Sequence, residues 1–338
     1  MHTLPIHPDA PWLAPLAGYS DLPFRMLCRH YGCAVACTEM VSAKGLYHGG
    51  GNTDRLLDTC PGDDPVVLQL FGSDPDVFPY VMDTMLEKGF RYFDLNCGCP
   101  VRKVLKSGSG SALLLDPDKL LKIARIMIDR AGPGRAGFKI RLGYETGDDV
   151  FTDVARRLED VGAAWIALHP RSSRQMFSGS ADWSRLPELV RSVSIPVIAS
   201  GDLFTAEDGV RCVEESGVAC LMFARGAMYD PSIFARYLTL RRGEDLAPLT
   251  GPELEDIVRL HIRYTREFDG SPRSFRKIRS FIPRYAKGLG GVRALRSRLT
   301  QCETWEELDE AVSTISQLPP ASETAGEARP VRDPLTGL

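Results

Sequence analysis

The sequence predicts an α/β chain, a (β/α)8 TIM barrel followed by a small C-terminal helical domain. Three observations carry that prediction. Eight short, nearly continuous apolar runs recur between residues 12 and 223, as expected of strands buried on both faces of a parallel sheet. Stretches with helical apolar spacing fill most of the gaps, and eight such units in about 230 residues match the size of this barrel. Almost every run is followed by a group that can hydrogen-bond or ionise, as at the C-terminal rim where barrels carry their active residues. A doubly wound open sheet competes, but its Gly-rich dinucleotide fingerprint is missing after the first run.

In order, the runs are 12–14, 34–38, 66–70, 90–95, 137–141, 165–168, 197–199 and 220–223. Segments 76–88, 117–130, 148–161, 186–193 and 206–215 have the apolar spacing of helices between them. At the ends of the runs or just past them stand Pro15, Glu39, Gln69, Asn96 with Cys99, Lys139, His169, Ser200-Gly201-Asp202 and Ala224-Arg225-Gly226. Any one of these can be structural, but their convergence on one rim is hard to explain as packing. The stretch Asp94-Leu95-Asn96-Cys97-Gly98-Cys99-Pro100 passes abruptly from an apolar run into a polar turn. A buried strand delivers reactive side chains to a loop in this way, so Cys99 is the candidate reacting group.

After about residue 242 the pattern changes. Arg241-Arg242-Gly243-Glu244-Asp245 and Pro248 read as a linker. Helices are expected over 252–268, 274–287, 292–299 and 305–315, the last opened by a capping box of Thr304 and Glu307. The expected organisation is a catalytic barrel over 1–241, a helical domain over 242–318 and a disordered tail over 319–338, rich in Pro, Ser, Glu, Gly and Ala.

Composition narrows the function classes. Hydrophobic residues make up 43% and charged residues 25%, ordinary for a soluble globular protein. No apolar stretch is long enough for a membrane span, and the first residues lack the pattern of a secretory signal. Nine cysteines, an odd count without paired C-x-x-C knuckles, fit a reducing cytoplasm and argue against a metal site. The net charge of −3 conceals an asymmetry: residues 251–300 hold twelve Lys/Arg against five Asp/Glu, a local +7, leaving −10 elsewhere. A basic block on an acidic body suggests a polyanionic partner.

Several motifs in order resemble the tRNA-dihydrouridine synthases of the bacterial type. They are Ala14-Pro15-Leu16-Ala17-Gly18-Tyr19-Ser20-Asp21-Leu22-Pro23-Phe24-Arg25, Gln69-Leu70-Phe71-Gly72, the 94–104 stretch and Gly110-Ser111-Ala112-Leu113-Leu114. Lys139-Ile140-Arg141, His169-Pro170-Arg171 and Gln175-Met176-Phe177-Ser178-Gly179-Ser180-Ala181-Asp182-Trp183 follow. The resemblance spans 12 to about 235, and 276–296 resembles the family's basic helical tail. It implies an FMN-bearing barrel that reduces particular uridines in tRNA, with NADPH as reductant.

On that basis Pro15, Leu16 and Ala17 are expected to form the flavin shelf and Gln69 to meet its ring edge. Lys139 would place positive charge where the reduced ring accumulates negative charge. Ser200, Gly201, Asp202, Ala224 and Arg225 would cradle the phosphate. Cys99, on the face of the base opposite the flavin, is the expected proton donor, and Cys97 is structural. Asn96 is assigned to flavin or uracil carbonyls, and His169 and Arg171 to the flavin phosphate or the substrate edge. Lys103 is assigned to RNA phosphate or to ordering the Cys99 loop, and Arg276, Lys277 and Arg284 to tRNA docking. The Ser107–Ser111 run reads as a flexible lid beside Cys99. The expected protein is a cytoplasmic monomer without bound metal.

The chain departs from the usual pattern at six positions. Leu16 stands for a common Met, Pro170 for Gly, Ser173 for a second Arg, Ser200 for Asn, Ala224 for Gly and Ile278 for His. Ser173 and Ile278 leave the identity of the RNA target open. A flavin reductase of a free small molecule would use the same barrel without needing the basic helices. A decayed, non-catalytic RNA-binding barrel would not need Cys99, Lys139 and Gln69.

Overall fold

A computed structural model describes residues 4–50, 53–287 and 289–319. Nine parallel strands form one sheet: β1 (Trp12–Leu13), β2 (Val35–Cys37), β3 (Val41–Ser42), β4 (Val66–Phe71) and β5 (Tyr92–Cys97), then β6 (Ala136–Arg141), β7 (Trp165–His169), β8 (Val197–Ala199) and β9 (Cys220–Phe223). Their order is β2-β1-β9-β8-β7-β6-β5-β4-β3, and pairing of β2 with β4 closes the barrel. The doubly wound alternative is thereby excluded. Eight strands lie where the eight apolar runs predict them.

The ninth, β3, has no run of its own in the sequence reading. Ala36 pairs with Val66 and Val41 with Leu70, so five steps along one strand cover four along β4. β2 and β3 are therefore one course interrupted by an extra residue, a bulge that re-aims side chains at the rim. Thr38 bridges the break, its hydroxyl accepting from the Gln69 N–H, and Met40 is turned into the rim cavity.

Inside the barrel, Trp12 and Trp165 meet edge to face with ring centroids 5.6 Å apart. They close the floor with Val35, Val67, Tyr92, Ile198 and Met222. Trp165 lies flat against Gly137, where an added Cβ would fall 1.9 Å from a ring atom. With the lower barrel filled by side chains, ligand space remains only toward the C-terminal rim.

The C-terminal helices are Gly251–Phe268, Pro272–Tyr285, Val292–Gln301 and Trp305–Val312. Thr304 and Glu307 form the expected capping box. These helices pack on the first barrel helix, Leu22–His30, whose Phe24 sits 5.7 Å from the His261 ring and 5.4 Å from Phe281. Ile278 is 1% exposed in this seam, so its position faces the core rather than a substrate. Apart from residue 319, the tail expected to be disordered lies outside the described residues.

Candidate active site

One cavity opens at the C-terminal rim, and the strand ends build it in sequence order. Pro15, Leu16 and Ala17 line it from the loop after β1, Gln69 from β4, Asn96 and Cys99 from the end of β5, and Lys139 from β6. His169, Ser200, Gly201, Asp202, Ala224 and Arg225 complete the wall. All eleven expected cofactor residues, Asn96 and Cys99 thus meet in one space.

Cys99 is clamped from several sides. The Asn96 side chain turns back on its own loop, Oδ1 accepting from the N–H groups of Gly98 at 3.2 Å and Cys99 at 2.9 Å. The Cys99 carbonyl accepts from the Ser111 N–H and hydroxyl at 3.2 and 3.1 Å. Arg141 Nε donates to the Gly98 carbonyl at 2.7 Å. Of the Ser107–Ser111 run, expected as a flexible lid, Ser107 and Gly108 are exposed but the second half is packed against Cys99. Ser109, Gly110 and Ser111 are buried under the loop, and a Cβ on Gly110 would come 2.6 Å from the Cys99 carbonyl oxygen. Ser173, the departure from Arg, hydrogen-bonds Ser111 Oγ at 2.5 Å from below.

The surroundings of the thiol disfavour its thiolate form. Burial raises the Cys99 pKa, and the Val101 N–H, Arg141 and Lys139 only partly offset the effect, so the proton stays on sulfur at neutral pH. Burial and repulsion from Arg141 lower the Lys139 pKa, and burial raises that of nearby Asp94. Lys139 lines the cavity and makes no hydrogen bond to a protein group among the described residues. A half-buried cation without a partner costs free energy unless a ligand supplies one.

The glycine-turn end of the cavity, after β8 and β9, is tightly packed. Gly201 has φ +104°, and a Cβ there would lie 2.5 Å from the His169 ring; one on Gly226 would lie 2.5 Å from the Leu203 carbonyl. The amide N–H groups of Gly201, Asp202 and Leu203 donate to no protein group among the described residues and can serve an anion. Burial alone would raise the Asp202 pKa, but hydrogen bonds from Arg171 and the Ala181 N–H hold it below the ordinary carboxylate value. The Asp202 side chain is thus an anchor for arginines rather than a phosphate ligand, and it holds Arg225 Nη2 at 2.9 Å.

Arg171, expected at the flavin phosphate or the substrate edge, does not line the cavity. It is 1% exposed, and its five N–H donors go to Asp202 at 2.8 and 2.6 Å, the Ser178 and Gly179 carbonyls, and His169 Nε2. Because arginine only donates, His169 Nε2 accepts and its proton sits on Nδ1. Burial, reinforced by Arg141, Lys139, Arg171 and Arg225, holds His169 neutral, well below its usual pKa. The remaining expected substrate residues lie outside the cavity. Lys103 is exposed on the short helix Arg102–Lys106, and Arg276 is exposed on the basic helix. Lys277 is paired with Asp21, and Arg284 Nη2 donates to the Tyr19 hydroxyl at 3.0 Å.

Sequence reasoning missed Tyr19, Met40, Arg141, Phe177 and Phe204, which all line the cavity. Arg141 was legible: two residues beyond Lys139 on one strand, it shares the same face. Its Nη1 donates to the Ser172 and Met176 carbonyls, both at 2.8 Å, and burial lowers its pKa to about 10. Phe177 and Phe204 flank the Arg225 guanidinium at 4.9 and 4.8 Å, an arrangement with no signal in local spacing.

No helix among the described residues is long and apolar enough to cross a membrane, and none of their His, Cys, Asp and Glu side chains cluster as a metal site. A closed (β/α)8 barrel with one thiol, one unpartnered amine and an anion-ready glycine turn on its rim has the form of a cofactor-dependent enzyme. The model of the dihydrouridine synthase (Dus) family matches residues 12–318, and the chain belongs to that family. It is 33% identical over 307 residues to a probable tRNA-dihydrouridine synthase 1 of Synechocystis, covering 89% of this chain and 86% of the relative. It is also 34% identical over 271 residues to tRNA-dihydrouridine synthase B of Vibrio vulnificus, covering 78% and 83%. A probable tRNA-dihydrouridine synthase of Mycobacterium tuberculosis is 31% identical over 330 residues, covering 94% and 85%. An old yellow enzyme homologue from Zymomonas mobilis is a structural neighbour at TM-score 0.49 and 12% identity, covering 78% of this chain and 94% of that one.

Proposed function

We propose that the protein reduces the C5–C6 bond of specific uridines in tRNA, with Cys99 as the proton donor to C5. The observation that carries this reading is the clamped, protonated Cys99 thiol sharing one cavity with the unpartnered Lys139 amine. FMN, re-reduced by NADPH, would supply the hydride to C6 when bound. Pro15, Leu16 and Ala17 give it an apolar shelf, Gln69 meets its ring edge, and Lys139 offers positive charge where the reduced ring becomes negative. Ser200, Gly201, the Asp202 backbone, Ala224 and Arg225 hold the phosphate, with His169 kept neutral behind them.

A uridine in folded tRNA must leave its stack to reach this cavity, and backbone contacts must supply affinity. We assign that role to residues 242–318, with 1–241 as the catalytic domain. Arg276 is exposed on the basic helix, and Arg284 carries the basic face to Tyr19 at the cavity wall. Lys103 lies on the helix following Cys99, where it can meet RNA phosphate. The proposal places the protein in the cytoplasm as a monomer. Position-by-position nucleoside mapping of tRNA from cells with and without the protein tests it. A Cys99→Ala protein should bind FMN and oxidise NADPH yet form little dihydrouridine; full tRNA reduction by that variant would overturn the assignment.

A further inference from the structure

Beneath the cavity lies a carboxyl group with no role in the proposed chemistry. Asp94 faces the barrel interior from β5 and is 3% exposed. Its Oδ2 accepts from Gln69 Nε2 at 2.6 Å, while Oδ1 has no hydrogen-bond partner among the described residues. Gln69 Oε1 accepts from Asn96 Nδ2 at 2.9 Å, and Asn96 Oδ1 accepts from the Gly98 and Cys99 N–H groups. These bonds form one unbroken chain from the barrel interior to the backbone of Cys99.

The direction of the chain is determined at both ends. Backbone N–H groups only donate, so Asn96 must turn its oxygen to the Cys99 loop and its nitrogen to Gln69. Gln69 must then turn its oxygen to Asn96 and its nitrogen inward, where a buried acceptor is required. Asp94 is that acceptor. Without it the Gln69 N–H is buried and unsatisfied, and each remedy costs geometry. If the Gln69 amide flips, two N–H groups face each other at Asn96; if Gln69 swings toward the cavity, Asn96 Nδ2 keeps only the weak Met40 Sδ acceptor at 3.8 Å.

We propose that Asp94 is a positioning residue that sets the Gln69 amide and the Cys99 loop together, acting through Asn96. This rests on the proposed reaction for its consequence, but not for its geometry. The chain couples the group expected at the flavin edge to the group expected to protonate the substrate. A shift at one is transmitted to the other.

The test compares Asp94→Asn, which keeps an acceptor oxygen in place, with Asp94→Val, an apolar β-former suited to a buried strand. Asp94→Ala substitutes if the valine protein does not fold. Two readouts do not depend on turnover: the visible spectrum of bound FMN, and the rate of Cys99 alkylation followed by peptide mass spectrometry. Asp94→Val should alter both and lower kcat for dihydrouridine formation by roughly 10- to 100-fold, with KM for tRNA little changed. Asp94→Asn should restore all three toward wild type. An Asp94→Val or Asp94→Ala protein with wild-type spectrum, alkylation rate and kcat would overturn the proposal. So would an Asp94→Asn protein as impaired as the apolar variant, since charge rather than the acceptor would then be at work. If the wild-type protein makes no dihydrouridine, the reaction is wrong, and the spectrum and alkylation rates still decide on Asp94.

Discussion

Lys139 shows how a single residue can cost stability at a site we propose for a cofactor. Burial and Arg141 disfavour its ammonium form, so its folded-state pKa lies below the ordinary value of 10.5. Between the lowered value and 10.5 the unfolded chain binds more protons than the folded one, so stability rises with pH across that window. Below the window both states are protonated and the folded state carries the full penalty. Flavin-free Lys139→Met protein should therefore melt higher than wild type at neutral pH and lose the alkaline rise. Its FMN affinity should fall. Thermal melts across neutral to alkaline pH and an FMN titration check both; a lower neutral melting point would show that Lys139 stabilises the empty site.

At the scale of elements, the Cys99 loop takes its shape from segments distant in sequence. The 3-10 turn Gly110–Leu115 supports it, Arg141 of β6 ties its Gly98 carbonyl, and Ser173 beyond β7 braces Ser111. Gly110 is the tightest point, with φ +64° and room for no Cβ. Gly110→Ala should cost about 1–3 kcal/mol of stability, from the left-handed backbone and the contact with the Cys99 carbonyl. It should also cut dihydrouridine formation by roughly 10-fold or more through displacement of Cys99. Denaturant melts and single-turnover rates measure the two effects. A variant with wild-type turnover would show that the loop tolerates displacement. The Gly and Ser residues of 107–111 read as a lid because composition reports conformational freedom, whereas the burial of Ser109, Gly110 and Ser111 depends on what the fold lays over them.

For the whole molecule, the basic helices and the acidic barrel meet across an apolar seam around Phe24, His261 and Phe281. The basic surface is not uniform. Lys277 and Arg284 already engage Asp21 and Tyr19, whereas Arg276 is exposed. Arg276→Glu should therefore weaken tRNA binding and flatten its salt dependence while leaving the melting temperature unchanged. Arg284→Glu should weaken binding and also disturb the cavity wall through Tyr19. Filter binding over a salt series separates them; an unchanged salt slope for Arg276→Glu would remove that residue from the RNA surface.

Much of this molecule follows from local sequence. The eight strands announce themselves because apolar runs of strand length have nowhere to be except a buried sheet, and their polar terminal residues mark one rim. Gln69, Asn96, Cys99, Lys139 and His169 were legible for that reason. Tertiary structure alone decided the rest, because hydrogen-bond partners come from different strands. It paired Arg171 with Asp202, put Ile278 in the core, and carried β2 past a bulge so that Met40 enters the cavity. It also joined Asp94, Gln69 and Asn96 into one chain. Residue type and spacing say which groups reach the rim; the closed barrel determines which of them are already satisfied there and which remain available to a ligand.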